Sequence, residues 1–326
     1  MVVETHIHHP TDSRLVGDGV RVLSRWLRRA KRALGRRLQL PQRLFRSRTR
    51  SVRRLAQQIH RLARRTAAEA AGQMRAAYAR LLAVAHQSCR QAEQVQAVLQ
   101  RQRRALARRT AAQLAHYLPL VQQAMRQARQ RVLEAVKVPA GEKLVSLFEP
   151  HTQVIQRHKA GKPVEFGRKV WLGEVEGGLI THYRLVADLG LDAPYLMPTL
   201  AGHVVRFGKP PHLVAGDRGV YSADNEQQAQ QLGVKRVVIP YAGRASPPRV
   251  EQERSTWFRR GFRFRAGIEG RISVLRRRYG LHRCLAHGEA GLGRWVGWGI
   301  LTANLVQLAH TLVKRQVATA APATAV

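Results

Sequence analysis

Residues 15–138 are written mostly in alanine, arginine, glutamine and leucine, and their apolar residues recur at three- and four-residue spacing. That period, kept over so long a stretch, reads as several long helices in an antiparallel bundle with one apolar face and strongly cationic remaining faces. Gly35, Pro41 and Pro119 mark the expected interruptions. Arginine in such excess repels itself without an anionic partner, so a clamp on a DNA backbone is preferred over a merely solvated helical hairpin. The segment carries neither zinc-finger spacing nor a helix-turn-helix pattern.

The excess of cations extends to the whole chain. Fifty-seven lysines and arginines against 20 acids give a formal net charge of +37, more than solubility calls for. Counterion release from phosphates rewards such a charge, which puts nucleic acid ahead of an acidic membrane surface as partner. An RNA-binding helical protein is less favoured, because the aromatic stacking motifs that single strands need are missing. No run of 18 apolar residues suggests a membrane span, and the start, MVVETHIHHPTDS, lacks the basic and apolar regions of a signal peptide. Cys89 and Cys284 have no metal-ligand spacing and read as reduced, structural thiols of a cytoplasmic protein. His6, His8 and His9 alternate and could take a metal opportunistically, but exposed strand residues are the simpler reading.

Residues 2–8 alternate as a strand and run into a Pro-Thr-Asp-Ser turn, where Asp12 or Ser13 is placed to cap the next helix. Beyond residue 139 the pattern turns to mixed β and α. Residues 162–174 and 178–186 predict two strands joined by a hairpin at Glu176-Gly177-Gly178. Residues 192–207 predict a helix kinked or restarted near Pro198. Residues 212–216, HLVAG, form a buried strand that delivers Asp217 at its C-terminal end, with Gly216 and Gly219 allowing a sharp turn. A helix opened by Ser222 and a strand over 234–240 follow, then a loop over 241–250. Residues 289–317 predict an apolar helix whose Trp295, Trp298, Leu301 and Leu305 pack into a core.

One carboxylate, Glu269, sits inside the cationic helical run FRFRAGIEGRISVLRRRYGL at 262–281. At about 100° per residue, Ile268, Ile272, Leu275 and Tyr279 share one stripe, and Phe262, Arg265, Glu269 and Arg276 share another. An acid at a strand tip and an acid on a helix beside the sheet are what two-metal phosphoryl transfer needs, with a further carboxylate on a neighbouring strand. Capping or exposed strand positions account for Asp192, Asp188, Glu165 and Glu174.

The stretch Phe262-x2-Arg265-x3-Glu269-x6-Arg276 resembles the Y-x2-R-x3-E-x6-K signature of the DDE transposases of bacterial insertion sequences, with phenylalanine for tyrosine and arginine for lysine. Asp217-Arg218-Gly219-Val220-Tyr221 resembles their second-aspartate turn, with the tyrosine one place later, and the phrases GKPVEFGRKV, DRGVYSADNE and RWVGWGILTANL are similar to the ISNCY-type subset. The resemblance implies an α/β, RNase H-like mixed sheet flanked by helices, interrupted near its start by an Arg-rich all-helical insertion. Its boundaries are residues 1–14 for the first strand and turn, 15–140 for the insertion, 141–317 for the catalytic domain and 318–326 for a disordered tail.

The implied activity is metal-dependent cleavage and strand transfer of an insertion sequence, with Asp217 and Glu269 holding two Mg²⁺ or Mn²⁺ ions. Arg265 and Arg276, with Arg263 and Arg271, are expected on DNA phosphates. The implied partners are double-stranded element ends and target DNA, bound by a homodimer in the bacterial cytoplasm at the nucleoid, without a membrane. The family's first aspartate precedes the residues that VVETHIHHPTDS resembles, so impaired cleavage and a noncatalytic DNA-binding remnant are the expected consequences. The competing and less favoured expectation is that Asp12, or less favourably Glu4, serves as a substitute ligand and keeps cleavage.

Overall fold

The computed structural model of the chain describes residues 1–34, 40–65, 68–156, 163–187, 190 and 192–320. Expectations that rest on Gly35 and Asp188 lie outside them. The chain divides into two compact units, Ile7–Phe166 and a second made of Met1–His6 with Gly167–Val326.

The first unit is the predicted helical bundle. Helices α1 (Asp12–Leu34), α2 (Thr49–Leu62), α3 (Ala68–Gln100) and α4 (Ala105–Ala128) pack around one core. Leu81, Ala85, Ala92, Val95 and Leu99 of α3 face Ala107, Leu114, Val121 and Ala128 of α4 in the same buried cluster. Small residues let the helices approach closely: a β-carbon on Gly19 of α1 would stand 2.8 Å from Val121. Pro119 does not interrupt α4. The lost backbone bond and ring clash cost about 3 kcal/mol, which packing of α4 against α1 and α3 offsets. The cap of α1 is also a residue earlier than expected, because Thr11 Oγ1 accepts from the Arg14 amide at 3.3 Å.

The second unit is built on a mixed sheet. β1 (Val2–Thr5) pairs antiparallel with β3 (Val164–Val175), placing Val2 opposite Lys169, and parallel with β7 (Arg283–Cys284). β4 (Leu179–Leu185) returns along β3 after a turn in which Gly177 and Gly178 both have positive φ, as the Gly-Gly hairpin signal requires. Within this unit the strand order is β3-β1-β7, with β4 also on β3; β2 (Gln153–Gln156) belongs to the span of the first unit. Helices α5 (Leu196–Phe207) and α9 (Gly288–Ala320) flank this sheet through β4, making an α/β architecture. Pro198 falls in the first turn of α5, so the helix starts there without a kink. Helix α9 runs to Ala320, into the expected disordered tail.

The strand that ends at Asp217 is not part of that sheet. Among the described residues β5 (Leu213–Ala215) pairs only with β6 (Arg236–Val238), in parallel, joined through α6 (Ala223–Gln231). A core of its own lies beneath them, with Leu200, Val220, Ala229, Val237 and Ile239. The expected loop over 241–250 is cut short by α7 (Pro247–Arg254), since prolines at a helix start give up only amides that would lack partners anyway. Helix α8 (Thr256–Arg278) follows at once, capped by Ser255 Oγ accepting from the Phe258 amide.

Candidate functional site

Helix α8 lies on the small sheet because Gly261 permits it. A β-carbon there would meet Val238 at 2.7 Å and Leu213 at 3.2 Å, so only glycine lets the helix backbone come so close to β5 and β6. Arg265 and Glu269 follow Gly261 by one and two turns on the same face. That register brings Arg265 to the tip of β5. Its Nη2 stands 3.5 Å from Asp217 Oδ2 and 3.5 Å from Glu269 Oε1. The two predicted catalytic acids are therefore gathered around one guanidinium.

These are loose contacts for a charge-assisted pair, which favours distances under about 2.9 Å. Asp217 is 46% exposed and Glu269 66% exposed, yet Asp217 Oδ1 is buried and has no hydrogen-bond partner. A buried carboxylate oxygen without a donor carries the full desolvation penalty of about 1–3 kcal/mol or more for a charged group. It is the kind of orphan a bound cation would satisfy.

The backbone around Asp217 is fixed by Asn225. Its buried amide donates to the carbonyls of Val220 (3.0 Å) and Ala193 (2.9 Å), tying the turn after Asp217 to the turn after Asp192. Gly219 sits between the acids of those turns: a β-carbon there would be 3.4 Å from Asp217 Oδ1 and 3.9 Å from Asp192 Oδ2. Asp192 was assigned by its sequence position to a cap or an exposed strand, and the fold instead brings it to the site. Lys169 Nζ holds its other oxygen at 2.5 Å. The sharp turn is present as a 3-10 turn over Arg218–Val220, but neither Gly216 nor Gly219 has a positive φ, so it does not draw on glycine's left-handed freedom. Gly216 instead keeps the backbone close to Val220 and Ile239.

The remaining predicted residues have separate roles. Arg271 lies 3.4 Å from Glu174, with its guanidinium over Gly178 in the β3–β4 turn, so it clamps the hairpin. Arg276 Nη2 is 3.0 Å from His282 Nδ1, and Arg263 is exposed. On α8 only Leu275 of the predicted apolar stripe is fully buried; Ile268, Ile272 and Tyr279 are half-buried. Asp12 belongs to the helical unit and is 7% exposed. It accepts from Gln127 at 3.0 Å and from Arg131 at 2.7 Å, the latter carried by the π-helical turn Arg129–Leu133. Glu4 is buried and accepts from Arg283 at 3.0 Å.

Among the described residues no three His, Cys, Asp or Glu side chains stand together as a ready metal site, His6, His8 and His9 included. One described helix, α9 over Gly288–Gln316, is long and apolar enough to cross a membrane by length and composition, where none was expected. No protein-family model, no curated protein and no solved structure matches the chain.

Proposed function

We infer that the protein is a DNA-recombination enzyme of the DDE transposase class, acting on phosphodiester bonds with Asp217 and Glu269 as cation ligands. The observation that carries this reading is the meeting of the two acids at Arg265, with the other oxygen of Asp217, Oδ1, buried and unpartnered. The site fits Mg²⁺ or Mn²⁺: such ions keep several waters and need only one or two protein carboxylates. Asp192, across Gly219, is a further acid beside the site, although its own pairing with Lys169 would have to loosen.

When bound, the cations supply Lewis acidity that activates water and stabilises charge on the phosphoryl group. The chain's own residues do the rest. Arg265 holds the acids in the absence of cations and turns to a DNA phosphate when they are neutralised. Arg276 and Arg263 contact phosphates along the same helix. Hydrolysis adds water across a P–O bond to leave a 3′-hydroxyl and a 5′-phosphate; in transesterification that 3′-oxygen bonds to a target phosphorus while the target strand's own 3′-oxygen departs with the proton, so no protein nucleophile is consumed. The cationic helical unit holds the duplex backbone.

An RNase H-like catalytic unit with a helical insertion is the fold reading that belongs to this function, and a DNA-bound homodimer at the nucleoid is its setting. Its support is the β1, β3, β4 antiparallel succession with a parallel strand beside β1. The separate pairing of β5 with β6 is the feature it must accommodate.

The test is nicking of duplex DNA in Mg²⁺ or Mn²⁺. Asp217→Asn and Glu269→Gln are expected to lower the rate at least about a hundredfold while leaving DNA affinity within about twofold. Equal nicking by wild type and Asp217→Asn would overturn the assignment. A noncatalytic DNA-binding protein is the second reading, favoured by the cationic side chain already lying between the acids. Tight duplex binding with no metal-dependent nicking would establish it.

A further inference from the structure

Helix α9 carries two apolar stripes on nearly opposite faces. Leu292, Val296, Ile300 and Ala303 are buried against the sheet. Asn304 extends that docked face by donating to the Ile180 carbonyl (2.8 Å) and accepting from the Ile180 amide (2.9 Å), and Gln307 donates to the Gly177 carbonyl (2.9 Å). The other stripe is Trp298 (68% exposed), Leu301, Leu305, Leu308 and Leu312, all open to solvent. Core packing was the expectation for three of these, and the docked face explains the difference: at about 100° per residue, they point away from it.

Their spacing is 3-4-3-4, the a/d repeat of a coiled coil, whereas a helix lying on a globular core uses a broader stripe. The flanking Thr302, Ala309 and Thr311 are exposed and uncharged. That neutrality identifies the occupant. With a net charge of +37, two copies repel over most of their surfaces and meet with least repulsion along this stripe, which carries no lysine or arginine between Arg294, four residues before Trp298, and Arg315, three after Leu312. A heptad seam is self-complementary about a two-fold axis, as an isologous dimer contact must be. The helix is already held by the sheet unit, so pairing does not have to fold it first.

We propose that the Trp298, Leu301, Leu305, Leu308 and Leu312 face of α9 is a homodimerisation seam that packs against the same face of a second copy. Docking of Asn304 and Gln307 into the β3–β4 hairpin opposes the alternative in which α9 crosses a membrane. The pairing does not rest on DNA cleavage and forms without DNA.

The experiment is sedimentation equilibrium of the nuclease-treated full chain, with and without Leu301→Lys and Leu305→Lys together. Wild type is expected to be a dimer that tightens toward about 1 M salt, where the Debye length is about 3 Å and repulsion between copies is screened. The double variant, charged at sites already exposed in the monomer, is expected to keep its thermal midpoint and dissociate at least about a hundredfold more readily. Leu305→Cys is expected to form a disulfide-linked dimer on mild oxidation, since Cys89 and Cys284 are buried. A wild-type monomer at about 50 µM, well above ordinary specific affinities, would overturn the seam. So would a dimer indifferent to the double variant, dissolution of the dimer by salt, or a monomer that inserts into neutral lipid vesicles.

Discussion

The start of α1 and the tip of β5 each hold an aspartate beside an arginine, and the two are built for different ends. Asp12 is buried, accepts at 2.7 and 3.0 Å, and shares Gln127 with the backbone of Leu144, whose amide donates to Gln127 Oε1 at 3.0 Å. Asp217 is half-exposed, meets Arg265 only at 3.5 Å and leaves an inner oxygen unpartnered. A closed set of short bonds locks a fold; a loosely held acid with an empty lone pair can take a ligand. Each setting comes from its surroundings, since both acids follow a short strand and a turn.

Substitution at Asp12 gives the largest predicted separation. Asp12→Ala is expected to cost about 2–3 kcal/mol of stability, below the range for a fully buried pair because Arg131 is partly exposed. Asp217→Ala is expected to leave stability unchanged or raise it by up to about 1 kcal/mol, since it removes the buried, unpartnered Oδ1 together with one loose contact. Urea unfolding followed by circular dichroism checks both, and equal losses would erase the distinction. Arg265→Ala comes next. Removing the cation that competes for both acids is expected to tighten Mn²⁺ binding about tenfold, or about 1.4 kcal/mol, read by calorimetry; weaker binding would mean that Arg265 props the site open.

A smaller effect is expected at Gly219. Its added β-carbon fits without backbone strain, so Gly219→Ala should leave the thermal midpoint in place while weakening Mn²⁺ binding several-fold, by crowding Asp217 Oδ1. An unchanged metal affinity would place the cation away from Asp192. The smallest effect is a control on the helical unit. Burial pushes the Cys89 thiol up to about 12, so it stays protonated at pH 8 and should not react with a thiol reagent until the protein unfolds. Fast labelling of the native chain would show an opened bundle.

Much of this comparison was legible in the sequence. Apolar spacing gave the helices, the Gly177-Gly178 pair gave the β3–β4 turn, and the run HLVAG placed Asp217 at a strand end. The 100° stripe grouped Arg265 with Glu269, and the two do lie within reach of one another on α8. Other features depend on tertiary contacts that periodicity does not encode. Asp192 reaches the site only because Asn225 ties two distant turns together. Arg271 spends its charge on Glu174, ninety-seven residues away along the chain. Pro119 stays helical because neighbours support it, and β5 separates from the main sheet because β7, not β5, occupies the parallel edge of β1.

The contrast between a structural and a ligand-binding aspartate comes down to where a divalent cation goes. The direct measurement is a Mn²⁺ titration followed by electron paramagnetic resonance, in which bound ions leave the free-ion signal. Binding by the wild-type chain should disappear in Asp217→Asn and Glu269→Gln and persist in Asp12→Asn kept below its lowered thermal midpoint. Mn²⁺ uptake that survives Asp217→Asn, or that is lost in Asp12→Asn while the chain remains folded, would contradict the account.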